Sequence, residues 1–372
     1  MTIHKPVETT QQNTETDRTD TELGESLRAC YAYGMIASLV FYFLAGCTAR
    51  EDPVDKAPKP PPIPELKNKW VNGVKLRHLM TFHACDTTRA DCNDPWLHQS
   101  FIAGSSDGKR WEVMTRFEPF STSVPDPIVR DNVLYVYGMP QQRQFDLKTG
   151  KILKSKRVEV IDENSDRTMN VDPSAILDDD GRIVLFYLVG DIGYDPATCP
   201  PKQPNCSKVF QSATEVDGSN GTRFKVDPGT RASIQLNNGA RFASDPDIFA
   251  CPNGYCLLIS RGQGMQLLHS ETLRGEYTFM EGLSEGFISK NGGGVGAGHY
   301  DSKSESMWFF STKHIAKGNG SARMTEIHGS KRKGPIGSIE DRHFKAIIKG
   351  GDFLSSDYLV ASPGFYSFPD SP

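Results

Sequence analysis

Several familiar signals are missing from this 372-residue chain, and each absence removes a class of protein. Lys plus Arg number 42 and Asp plus Glu 46, a net charge of -4. That leaves no global pull toward nucleic acid or anionic lipid. No cysteine pair has the two-residue gap of a zinc knuckle and no His cluster accompanies the cysteines, which argues against structural zinc. The glycine run at 292–298 is not followed by Lys-Ser or Lys-Thr, so it is not a nucleotide loop. Asp178-Asp179-Asp180-Gly181 lacks the spaced ligands and distal Glu of an EF-hand and reads as a solvated hairpin turn. Apolar residues make up only 37%, a value depressed by a polar N-terminal stretch. What is plentiful is Gly (34), Pro (24), Phe (20) and Tyr (12), a composition that suits a turn-dense all-β fold better than a helical one.

The first 28 residues are polar and acidic and cannot bury a core. Tyr31 to Leu44 follows as an apolar run of about signal-peptide length, too short to span a bilayer comfortably. It ends Leu44-Ala45-Gly46-Cys47, which resembles the lipobox of bacterial lipoproteins and would make Cys47 the lipidated residue. An ordinary signal peptide or a signal anchor is the alternative, and a start nearer Arg28 or Met35 would account for the long acidic leader. Residues 48–69 are charged and then Pro-rich, an extended tether. The expected organisation is therefore 1–47 leader and signal, 48–69 tether and 70–372 folded domain, exported and lipid-anchored at the bacterial cell envelope. Six further cysteines fall into three close pairs, Cys85 with Cys92, Cys199 with Cys206 and Cys251 with Cys256, the pattern of local disulfides in an oxidising compartment.

Within the folded domain a single phrase recurs. Residues 125–138, 171–187 and 244–259 each hold an Asp-Pro pair, an apolar run, a polar or Gly turn and a second apolar run. Each reads as a β-hairpin headed by Asp126, Asp172 or Asp245. A first inner strand is expected around His78–Thr81, and a fifth repeat starts at Gly292 and leads to His299. The spacing predicts a five-bladed β-propeller of four-stranded blades, with the tail from about 336 supplying outer strands and closing the ring. The turn Ser105-Ser106-Asp107-Gly108 leads to Trp111, expected to pack between blades; a Pro-rich insert covers 191–207.

At these motifs the chain resembles the five-bladed propeller glycosidases of the family 43 type, over roughly residues 75–330. Asp172-Pro173 with the Asp-Asp-Asp-Gly turn matches the third-blade phrase, where the resemblance implies an Asp that tunes the acid. Gly296-Ala297-Gly298-His299 matches the fifth-blade phrase, implying an axial His beside a Ca or Na ion or water. The family's fourth blade carries the general-acid Glu; Ser244 stands there, next to Asp245. The base would be an Asp opening the first blade, and Asp86, Asp91, Asp94 or Asp126 could fill that role. Inverting hydrolysis needs one protonated carboxyl and one carboxylate facing it across the bond, about 6.5–9.5 Å apart. Asp126, Asp172 and Asp245 are the candidate set, although an Asp-Pro strand opening is equally a structural device. Arg261, Trp96 and Tyr194 are candidate sugar contacts. The expected partner is an oligo- or polysaccharide, with the membrane reached through the lipid, no nucleic acid and a monomeric state. The rival readings are a non-catalytic propeller that binds glycan or protein and an envelope assembly lipoprotein.

Overall fold

In a computed structural model the described residues are 75–369, apart from 90–91, 93, 95–96, 140, 163–167, 192–205, 237–241 and 316–323. Cys47, the tether, Asp91, Trp96, Tyr194 and Cys199 lie outside them. The described residues form a five-bladed β-propeller: five sheets, antiparallel except where Glu159–Ile161 runs parallel to Arg223–Val226 at the rim of the third blade. Their innermost strands are Ser123–Arg130, Thr168–Leu177, Ser244–Cys251, Gly294–Asp301 and Tyr358–Ser367. Each innermost strand contacts the next around a closed ring. Five apolar clusters fill the five junctions between blades.

Burial grades from axis to rim, as the sequence pattern requires. The second strand of the third blade, Ile183–Asp191, is a continuous apolar run with Ile183 to Leu188 almost wholly buried, because neighbouring blades cover both faces. Farther out, Ala232–Leu236 alternates: Ala232, Ile234 and Leu236 are buried while Ser233 and Gln235 are exposed. Trp111 packs edge-on against Phe310 of the fifth blade, its ring centroid 6.1 Å away, as expected of it. In the 178–181 turn only Asp179 and Asp180 are solvated. Asp178 turns inward and pairs with Arg182 and Arg274, which corrects the plain solvated turn.

The first blade differs from expectation in one respect. His78–Asp86 is its second strand, and the innermost position is filled by the C-terminal Tyr358–Ser367. The tail therefore closes the ring from the axis rather than from the rim. It also adds Lys345–Ile348 as the outermost strand of the fifth blade.

Cys85–Cys92 and Cys251–Cys256 are disulfides, the second across the hairpin turn as its spacing implied. Cys206 is disulfide-bonded as well. Closing the short Cys251–Cys256 loop constrains the unfolded chain by about 2 kcal/mol. The double replacement Cys251→Ser, Cys256→Ser is expected to lower stability by about that amount, read as a shift in denaturant midpoint at unchanged slope.

Candidate functional site at the propeller axis

All five innermost strands carry the same irregularity near their starts. Two residues bulge opposite one on the second strand, and the first of the two has positive φ: Val124 (48°), Asp172 (52°), Asp245 (48°), Val295 (41°) and Ser362 (54°). Such backbone is costly for residues other than glycine and persists because the ring imposes the same curvature on every blade. Proline follows the bulge residue in four blades (Pro125, Pro173, Pro246, Pro363) and Gly296 in the fifth. The true repeat is thus aligned on the Pro, and this corrects the Asp-Pro frame. Asp172 and Asp245 are equivalent to each other, but Asp126 lies two residues later and is equivalent to Ser174, Asp247, Ala297 and Gly364.

In this frame the axis is a chain of latches. Ala175 N–H donates to Asp126 Oδ2 at 2.7 Å, Ile248 N–H to Ser174 Oγ at 3.1 Å, and Gly298 N–H to Asp247 Oδ2 at 2.7 Å. Each side chain holds the following blade at the matching residue. A second series catches amides freed by the bulges: Val124 N–H donates to His83 Nδ1, Val295 N–H to Ser260 Oγ and Ser362 N–H to Thr312 Oγ1. These satisfy groups that would be expensive to bury alone. Close packing completes the arrangement. A Cβ on Gly294 would strike the Gly262 carbonyl, and one on Gly298 would strike the Phe249 ring, so the glycine run serves the crowded axis.

The space among Asp126, Asp245, Asp247 and the five bulges is about 20 Å³. That is room for a water molecule, whereas ligand-sized pockets start near 300 Å³. All three carboxyls are buried. Burial pushes Asp126 up to about 7, against the opposing Ala175 and Ser174 hydrogen bonds. It pushes Asp245 up to about 6 although the Ser244 hydroxyl donates to it. Asp247 is raised well above the carboxylate range by burial first and by the nearby Asp126 charge second.

The remaining candidates are dispersed. His299 is not at this cavity: its ring stands 5.1 Å from Phe365 and 6.4 Å from Trp308, at the opposite end of its strand from the bulge, and burial lowers it to about 4. Among the described residues no three His, Cys, Asp or Glu side chains come together to hold a metal. Arg261 is half-buried and donates to Gln266 Oε1 at 3.1 Å, outside the cavity lining. Asp86 accepts from Thr88 in a loop turn. Where the resemblance puts the acid there is Ser244, and at the opening of the first blade's innermost strand there is Ser362. A hydroxyl supplies neither a general acid nor a general base of the required kind. The sequence reading missed Ser174, Asp247 and Ser362. Their signal was the repeated x-Pro-x: Val124-Pro125-Asp126, Asp172-Pro173-Ser174, Asp245-Pro246-Asp247, Ser362-Pro363-Gly364.

No family profile matches this chain. No curated protein matches it either. Solved structures do. An endo-1,4-beta-xylanase from Bacteroides thetaiotaomicron is 14% identical over 62% of this chain and 85% of its own, with a TM-score of 0.40. A family-43 glycoside hydrolase from Xanthomonas citri, complexed with xylotriose, is 14% identical over 70% and 89%, TM-score 0.42. A xylan beta-1,4-xylosidase from Bacillus halodurans is 12% identical over 75% and 57%, TM-score 0.43. At these identities and scores the matches carry no inference about chemistry, and the architecture rests on the strand pairing described above.

Proposed function

We propose that this chain is a glycan-binding propeller that does not cleave its ligand, exported and held at the bacterial envelope by a lipid on Cys47. The observation that carries the non-catalytic reading is how little space the described residues leave at the axis. A cavity of about 20 Å³ cannot admit a sugar ring, and Asp126 and Asp247 there are engaged with backbone amides of neighbouring blades. The choice of glycan rests on the motif resemblance at 172–181 and 296–299. It is supported by a groove of about 710 Å³ between the fourth and fifth blades. There Phe279, 46% exposed, and Tyr300 offer ring faces, while Asn253 and Glu281 offer polar partners for hydroxyls.

One observation favours a retained hydrolase as a second reading. Burial pushes Asp126 up to about 7, so it keeps a proton near neutrality, as a general acid must. The test is to assay the full chain on aryl glycosides and on arabino- and xylo-oligosaccharides, and to titrate the same sugars by calorimetry. Binding without turnover is expected, weakened about tenfold, or ~1.4 kcal/mol, by Phe279→Ala. Turnover that disappears in Asp126→Asn would replace the binder with the hydrolase. Neither binding nor turnover would leave a protein-binding or assembly role.

A further inference from the structure

Three consecutive blades carry equivalent latches, and two of the three are carboxyls that face one another across the same water-sized space. Asp126, Ser174 and Asp247 all line that space. Each carboxyl accepts one backbone amide, from Ala175 and from Gly298. With both ionised, two like charges would share a space with room for one water molecule and with no Lys or Arg among the described residues lining it.

We propose that this chain of latches is a proton-dependent clasp on the ring of blades: Asp126 and Asp247, buried in the lining of one space, keep a proton between them, and loss of that proton to solvent loosens the closure of the second, third and fourth blades. The charges around the pair offer no substitute. From the third blade the cavity is lined by Pro173 and Ser174, with Asp172 on the bulge; from the fourth by Asp245 and Asp247; from the fifth by Val295 and Gly296; from the first by Ser362, Pro363 and Gly364. His83 reaches the Val124 amide from the first blade, and burial together with the neighbouring His98 keeps it neutral. No Lys or Arg is among the described residues lining the cavity. The raised Asp126 and Asp247 agree with this geometry. Because the folded-state values lie above the unfolded ones, the contribution is fully present below about pH 4. It is lost as pH rises through about 7, where Asp126 titrates.

The test is the thermal midpoint of the full chain from pH 5 to 9, for the native sequence, Asp126→Asn, Asp247→Asn and Asp245→Asn. The native protein is expected to lose roughly 5 °C or more over this range. Asp126→Asn and Asp247→Asn should each flatten the slope, because an amide keeps the acceptor for Ala175 or Gly298 and removes the second charge. A flat native profile overturns the proposal. So does a slope that survives in both of these variants and vanishes only in Asp245→Asn. Should a variant fail to fold, infrared difference spectra of the native chain decide. A buried protonated-carboxyl band at pH 6 that fades by pH 9 supports the clasp, and absence of that band at pH 6 removes it.

Discussion

Deleting residues 358–372 is expected to abolish cooperative folding. Tyr358–Ser367 is the innermost strand of the first blade, joined to His78–Asp86 by eight register pairs. It contacts the innermost strands of the second and fifth blades as well. Val360 is fully buried, and Phe365 stacks on Phe310 of the fifth blade with ring centroids 4.8 Å apart. Burial of one large apolar side chain contributes about 1.5–3 kcal/mol. The deletion removes several at once, unpairs a strand edge and opens the ring, against a total stability of roughly 5–15 kcal/mol for a typical domain. The measurement is circular dichroism through a thermal ramp together with limited proteolysis. A sharp transition and a protease-resistant core in the truncated chain would show that the ring does not depend on its C-terminal strand.

The second large effect is expected at Glu215. Its carboxylate is 7% exposed and pairs with Arg130. It also accepts from Ile183 N–H, at 3.0 Å, and from Gly221 N–H. This one side chain ties the end of the second blade's innermost strand to two turns of the third. Burial alone would raise its pKa, but the Arg130 guanidinium and the two amides outweigh that and hold it below the usual range. Glu215→Ala leaves a guanidinium and two amides without their acceptor, which costs about 3–5 kcal/mol. Urea unfolding should show the midpoint falling at nearly constant slope. Glu215→Gln keeps an acceptor and should lose less. The sign with pH follows from the depressed value: this contribution is present above the unfolded glutamate range and disappears as pH falls through the lower folded-state value. Glu215 thus weakens the fold in acid, while the Asp126–Asp247 pair weakens it in base. The native chain should be most stable between the two limits, and the Glu215→Gln variant should lose the acid limb selectively.

Much of the architecture was legible along the chain. The strands of the second, third and fourth blades fall where alternation, β-branched and aromatic runs and Gly or Asn turns place them, as with Arg223–Val226 or the Cys251–Cys256 hairpin. The site was less legible. The Asp-Pro dipeptide drew attention to Asp126, Asp172 and Asp245, yet the bulge aligns Pro125, Pro173 and Pro246, and Asp126 belongs with Ser174 and Asp247. A shift of two residues preserves the side-chain alternation of a strand. Hydrophobic patterning is therefore blind to it, and only the backbone irregularity reveals it. The resemblance at Gly296-Ala297-Gly298-His299 drew His299 toward the axis, but the glycines make room for Phe249 and the Gly262 carbonyl while the imidazole lies tilted against Phe365 and edge-on to Trp308.

The sequence by itself determined the local units: an all-β chain, repeated hairpins enough for five blades and close cysteine pairs. Those properties depend on neighbours a few residues apart, through side-chain periodicity, turn chemistry and short covalent loops. Tertiary structure alone decided which strand lies on the axis in the first blade, which side chains latch one blade to the next and how little space the axis retains. Each of these depends on pairings such as Asp126 with Ala175 or His78 with Ser367, whose partners are fixed only when the ring closes and curvature sets every bulge at the same depth.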